Sequence, residues 1–369
     1  MLAVDCDTHY WEPVSLWEEY IEPSFRDRAP QLVEDGARLL VQVGETVYPS
    51  VPQHAGLAAV YGPDDVVREQ VRLDKELSLD VSRRLAYMDE NGTFAQVVYP
   101  TLGMIGFSGI RDPELAGACA RAYNRFTAEF ASADPKRLLC AMLLPFNHPD
   151  VAAGEMRIAK EELGLNIVFT NPTPPDDRAW SDPDLEVLWR TAEELDVVVT
   201  FHESTVGAGP NSVGINRYAG RSPMIYLCTH TVEVQLAVMD LILGGVLERH
   251  PRLHVGLLEA HLTWIPGWLE LMDFKFGAAL RQTGVLRDDP STYFRRQIFA
   301  AAFPDDPGVR EVANAVGVEN VVFSSDWPHP NLVPGTNPNW VDVVNQRSDI
   351  TEAEKTRMLE ENPRRWLHL

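Results

Sequence analysis

No Cys-x-x-Cys pair occurs in this chain, whose four cysteines, Cys6, Cys119, Cys140 and Cys228, lie far apart. That spacing speaks against a zinc knuckle and a disulfide framework, and predicts reduced, mostly buried thiols in a cytoplasmic protein. No run reaches the roughly 18 apolar residues that a membrane span needs. No charged segment followed by an apolar one opens the chain, so neither a membrane partner nor a cleaved secretion signal is expected. Positive charge is scarce: 32 Lys and Arg face 54 Asp and Glu, giving a net charge of −22. Such a field repels phosphate backbones, and nucleic acid is not an expected partner. A Gly-x-Gly-x-x-Gly after an early strand and a phosphate loop are both missing, which argues against a doubly wound nucleotide-binding sheet. Internal repeats of about 20–50 residues are absent as well.

What is present is globular material. The 369 residues are 45% hydrophobic and 23% charged, enough for one large barrel or two medium domains. An apolar start (Leu2, Ala3, Val4) runs into Asp5-Cys6-Asp7-Thr8-His9. Further strands are predicted over residues 94–100, 138–145, 165–170, 197–203, 254–259, 297–303 and 320–325. Helical patterns separate nearly all of them. In residues 113–131, for example, Leu115, Cys119, Ala122, Phe126 and Phe130 step by three or four. Other helices are expected over 79–90, 151–163, 184–195, 231–249, 264–280 and 307–316, and a capping box from Thr351 to Glu354 opens the last. Eight strands alternating with helices predict an α/β fold, a (β/α)8 TIM barrel, as a single domain over 1–369. Residues 10–92 form a long excursion after the first strand. It holds a hairpin, residues 32–34 and 38–43, around Asp35-Gly36. Excursions this long usually wall a site, so the segment is expected over the active-site mouth. Tyr10 and Trp11, directly after His9, would then stack on a flat substrate.

In a parallel barrel the active site lies at the C-terminal strand ends. Asp7 and His9 end the first strand, on one face because side chains alternate. His202 ends the fifth and Asp326 the eighth. Alone, His202 reads equally as a core histidine and Asp326 as a turn cap. Together they form a set that a shared divalent ion would satisfy, since carboxylate oxygen and imidazole nitrogen are ordinary ligands of Zn and Mn. Asp326, at the edge of the metal, is the expected proton shuttle. His329 follows it by three residues and is a candidate substrate contact. Arg217 and Arg221 lie in the loop after the fifth strand and could grip a substrate carboxylate, or be solvated. His230 and Glu233, at the start of the next helix, could line the pocket.

At the level of motifs the chain resembles the amidohydrolase-related family, the branch with aminocarboxymuconate semialdehyde decarboxylase and the resorcylate decarboxylases. The residues that carry the resemblance are Asp7-Thr8-His9 with Glu12-Pro13, Thr200-Phe201-His202-Glu203, Leu258-Glu259-Ala260-His261 leading to Trp264-Ile265-Pro266-Gly267-Trp268, Ser325-Asp326-Trp327-Pro328-His329-Pro330, and Glu361-Asn362-Pro363. The resemblance implies a TIM barrel holding one Zn or Mn ion through Asp7, His9, His202 and Asp326. It also implies decarboxylation, hydrolysis or hydration of small ring compounds, and suggests a homodimer or larger oligomer. Asp7 stands where the best-known decarboxylases carry His or Glu. Those enzymes also place a catalytic His six residues before the proline matched by Pro266. That position is Ala260 here, with His261 one residue later and Glu259 one earlier. The missing imidazole favours a hydrolase using a metal-activated water, with Asp326, His261 and Glu259 as proton carriers. The alternatives are a non-oxidative decarboxylase of a small aromatic or unsaturated acid, and a catalytically silent metal-binding barrel.

Overall fold

The computed structural model describes residues 2–13, 15–35, 38–44, 46–49, 76–105, 107–176, 178–203, 212–218, 222–329 and 339–369. Its strands are β1 (Ala3–His9), β2 (Gln31–Asp35), β3 (Arg38–Val43), β4 (Thr46–Pro49), β5 (Thr93–Tyr99), β6 (Leu138–Leu143), β7 (Ile167–Thr170), β8 (Val198–His202), β9 (Val255–Leu258), β10 (Ile298–Ala302) and β11 (Val321–Phe323). Eight of them form one parallel sheet in the order β1-β5-β6-β7-β8-β9-β10-β11. Helices cover the outside, which is why these strands read as apolar runs such as Ile167-Val168-Phe169 and Val198-Val199. The sheet curls into a barrel, closed by backbone just past β11. Thr8 bridges Trp327, the His9 amide donates to the Trp327 carbonyl at 2.6 Å, and the Asp326 amide donates to the Asp7 carbonyl at 2.8 Å. Inside that seam the Asp5 carboxylate accepts from the Ser325 amide and hydroxyl at 2.9 and 2.5 Å. Burial pushes its carboxyl up to about 7.

The expected (β/α)8 barrel is thus the observed architecture, and helix Pro113–Ala131 has the bounds its periodicity predicts. Helix Val81–Glu90 stops at Asn91-Gly92, with Gly92 at φ 66°. The helix expected from 231 starts nine residues earlier, at Ser222, with Pro223 in its first turn. It then passes through a π-helical turn, Leu227–Val232, into Glu233–Leu243. Among the described residues one helical stretch, Met224–Leu243, is long and apolar enough to cross a bilayer by length and composition. Its Val234, Ala237, Val238, Leu241 and Ile242 are buried in the core.

The excursion supplies a second, antiparallel sheet, β2-β3-β4. The hairpin pairs Asp35 with Arg38. Its connecting residues 36 and 37, and residues 50–75 of the excursion, lie outside the described residues. Val41 of β3 packs against Trp11, Leu102 and Ile105, which follow the C-terminal ends of β1 and β5.

Candidate metal centre

Alternation along β1 turns Asp7 and His9 into the barrel, and both are fully buried. His202 closes β8 and Asp326 sits three residues past β11, at φ 57°. Left-handed backbone is uncommon for a side-chain-bearing residue, although Asp tolerates it, and here the Asp7 carbonyl fixes it. His9 donates Nδ1–H to the Pro100 carbonyl at 3.0 Å, and His202 donates Nδ1–H to the Glu203 carbonyl at 2.7 Å. In that tautomer both Nε2 atoms carry lone pairs, and they face each other at 3.1 Å. Asp7 Oδ1 lies 3.5 Å from His9 Nε2 and 3.3 Å from His202 Nε2, and Asp326 Oδ1 lies 3.3 Å from His9 Nε2.

This donor set fits a cation. Both Asp7 oxygens are buried with no hydrogen-bond partner, an expensive condition for a carboxylate unless positive charge is near. Without an ion the charge must come from protons. Burial opposes this, yet Asp326 and Asp7 raise His9 to about 10, and Asp7 and Glu259 raise His202 to about 9. Two imidazolium rings with nitrogens 3.1 Å apart repel each other. One divalent ion at these ligand atoms would replace both protons and remove that conflict. Two sets of ligand atoms lie within 4.8 Å of one another: Asp7, His9, His202 and Glu259 form one, and His9, Glu259, Asp326 and His329 the other, so Asp326 joins the centre through His9 and Glu259.

Around the four lies a ring of proton-carrying groups. Glu259 follows β9 at φ 52°, with Oε1 4.0 Å from His202 Nε2 and Oε2 3.2 Å from His230 Nε2. His230 Nδ1 reaches Glu203 Oε2 at 3.1 Å, so one imidazole stands between two carboxylates. Burial pushes the Glu203 carboxyl up to about 7. On the other side His329 Nδ1 lies 2.9 Å from Asp326 Oδ1, and its Nε2 lies 3.1 Å from the Thr101 hydroxyl. Its ring stacks on His9 at 4.0 Å, and Trp11 meets it edge-on at 6.0 Å. Burial and the Glu259 charge raise the Asp326 carboxyl above the usual range.

Two side chains that brace this centre carried no role in the sequence reading. Arg84, fully buried, donates to the His9 carbonyl at 2.7 Å, the Thr8 hydroxyl at 2.6 Å and Gln96 Oε1 at 2.9 Å. Glu12 accepts the amides of Thr101, Leu102 and Gly103 at 3.0, 2.7 and 3.0 Å. Arg84 could be found only as a cation on an otherwise amphipathic helix, and Glu12 only through its place in the Glu12-Pro13 motif.

The other candidate residues make different contacts. Tyr10 is not at the centre: alternation turns it opposite to His9, its hydroxyl bonds Tyr123 and Thr127 at 2.9 and 2.8 Å, and its ring packs on Phe126 and Phe130. His261, at φ 54°, points to Asp306 at 3.6 Å and Phe303 at 5.3 Å, outside the ligand group. Arg217 is exposed on the turn 212–218, and Arg221 lies outside the described residues. Glu233, buried, accepts from the Val213 amide. Asp7, His9, His202, Asp326, Glu259, His329 and Trp11 are brought together.

The family model described as Amidohydrolase matches residues 4–369. The chain belongs to the amidohydrolase family. Gamma-resorcylate decarboxylase of Rhizobium radiobacter is 24% identical over 342 residues, 87% of this chain and 96% of that one. A crystal structure of an amidohydrolase from Mycobacterium avium subsp. paratuberculosis K-10 superposes with a TM-score of 0.80 at 21% identity, covering 100% of this chain and 98% of that one. A dihydroxybenzoic acid decarboxylase from Polaromonas sp. JS666, with bound manganese and the inhibitor 2-nitroresorcinol, superposes with a TM-score of 0.71 at 19% identity, covering 100% and 97%. These structural likenesses establish the barrel fold, and the family match agrees with the resemblance read from the motifs.

Proposed function

We propose that this amidohydrolase is a metal-dependent, non-oxidative decarboxylase of a small aromatic or unsaturated acid. The observation that carries the reading is the buried cluster of Asp7, His9 and His202, joined to Asp326 through His9 and flanked by the imidazoles of His230 and His329, in a chain that aligns over 87% of its length with a decarboxylase. The sequence reading preferred hydrolysis because Ala260 removes an imidazole from the wall after β9. That objection weakens once His230 is seen to reach Glu259 from a different element, and the relatives favour the alternative.

Asp7, His9, His202 and Asp326 would hold one divalent ion, Mn or Zn, which supplies Lewis acidity toward an oxygen of the bound acid. Loss of carbon dioxide breaks the carbon–carbon bond and leaves its electron pair on the ring or vinyl carbon, which must gain a proton. The Asp326–His329 pair, hydrogen-bonded at 2.9 Å, is the donor placed beside the ligand set. Glu259 stands opposite, held well below its usual range by His202 and His230 in spite of burial, and the donor pair regains its proton from solvent. Trp11 and the small sheet behind it wall the mouth and exclude water, a role supported by the packing of Val41 on Trp11, Leu102 and Ile105.

The Mn-loaded protein should release carbon dioxide from 2,6-dihydroxybenzoate or a related hydroxybenzoate, and Asp326→Asn should abolish the release. Turnover of ester, lactone or amide analogues with no carbon dioxide from any acid would overturn decarboxylation in favour of hydrolysis.

A further inference from the structure

Beside the ligand group lies a cavity to which neither the metal set nor the proton carriers belong. The described residues outline it over the ends of β5, β6 and β7. Met104, Phe107, Leu143, Phe146, Phe169 and Trp180 are among its walls. Two contacts set it beside the centre. The Phe169 ring, one of its walls, stands 5.8 Å from the His202 ring. Met104, another, packs against the cluster of Trp11, whose edge meets His329. The cavity therefore opens on the β5–β7 side of the ligands, whereas Glu259 and Asp326 follow β9 and β11.

Its chemistry is that of a receptor for a flat apolar group. Four aromatic side chains and several aliphatic ones surround it, as in most small-molecule pockets, with few polar atoms to fix orientation. Two of those atoms lack partners. Asn147, 6% exposed, gives its Nδ2 to the Ile110 carbonyl, but its Oδ1 is buried with none. Asn171 accepts from the Thr173 amide through Oδ1, and its Nδ2 is buried with none. A buried acceptor and donor left unpaired are costly in a finished wall.

We propose that the substrate is larger than a single-ring acid: it bears an aryl arm that fills this cavity while its acid end meets the metal ligands. The proposal rests on the reading of the ligand group as the reaction centre. It makes the amidohydrolase selective for aryl-substituted hydroxy acids, with Phe169 as the wall shared by the two halves of the site.

The test compares affinities, not turnover, on the Mn-loaded full chain. 2-Hydroxybenzoate and its 3-, 4- and 5-phenyl derivatives are titrated by calorimetry, and carbon dioxide release is followed separately. At least one phenyl derivative should bind about tenfold more tightly than the parent acid, as burial of an added ring predicts. Ser108→Trp, on the exposed rim, and Thr173→Trp, an independent filling, should each erase that gain and leave Mn content and 2-hydroxybenzoate affinity unchanged. A folded variant of either kind suffices, and its Mn content reports that it is folded. Equal affinities, no binding of any phenyl derivative, or a gain that survives filling overturns the proposal. A gain erased by filling, with no carbon dioxide released, supports the arm and overturns only the decarboxylase reading.

Discussion

His9 and His202 show how a backbone selects a ligand. Each ring gives its Nδ1–H to a carbonyl, and each is thereby committed to presenting Nε2 to the other. Asp7 adds two oxygens with no hydrogen-bond partner, and Asp326 a third oxygen at 3.3 Å. Nothing in a purely structural core calls for four such groups to converge. Arg84 does not relieve them, because its donors are taken by the His9 carbonyl, the Thr8 hydroxyl and Gln96. His202→Ala and Asp7→Asn should each weaken Mn binding by more than about 100-fold, since loss of even an outer partner costs about 10–100-fold. Elemental analysis after dialysis reads this directly. Stoichiometric metal in both variants would remove the ion from Asp7 and His202.

The elements around the centre show which features local pattern reveals. Strand ends were legible because apolar runs stop at polar residues, so Asp7, His9, His202 and Asp326 could be picked before any fold was known. The same alternation, applied one residue further, sends Tyr10 into the layer between β1 and helix Pro113–Ala131, while Trp11 returns to the side of the site. Beyond a strand the rule fails. Glu259 and His261 both lie in left-handed backbone, so sequence spacing does not tell which of them meets the ligands. Long-range braces were illegible for a different reason: Arg84 meets Thr8 across 76 positions, and Glu12 meets Leu102 across 90. The loop after β5 that Glu12 holds is also tight. A Cβ on Gly103 would fall 2.5 Å from Tyr123 Cε2 and 2.9 Å from Glu12 Oε1. Tyr123 is pinned by its bond to Tyr10, so the clash cannot be relieved cheaply. Gly103→Ala should cost about 1–3 kcal/mol in urea denaturation. Gly154→Ala, in a helix with open space around its Cα, should be neutral or stabilising by up to about 1 kcal/mol. Equal effects at the two positions would mean the loop yields.

Across the whole molecule the barrel treats one residue type in opposite ways at its two ends. At the C-terminal face, carboxylates outweigh burial and raise His9 to about 10. At the N-terminal face, His254 precedes β9 and stacks on His368, with Nδ1 and Nε2 3.1 Å apart and ring centroids at 4.9 Å. Burial there, reinforced by the His368 charge and offset only in part by Asp196, lowers His254 to about 4 from 6.5. A histidine depressed in the fold contributes stability that is present above its unfolded value and is lost as pH falls through the folded one. Between about pH 6.5 and pH 4 the unfolded chain therefore takes up a proton at this site that the folded chain does not, and unfolding is favoured. The pair fastens the end of the chain to the base of the barrel, since His254 also meets Trp366 edge-on at 4.9 Å. Its titration should therefore loosen the C-terminal turn before the centre on the opposite face responds. The C2–H resonance of His254 should titrate with a midpoint near 4, and His254→Gln should flatten the fall of the urea midpoint between pH 6.5 and 4. A midpoint near 6.5 in the folded protein would show that solvent reaches the ring and that the base of the barrel contributes no acid sensitivity.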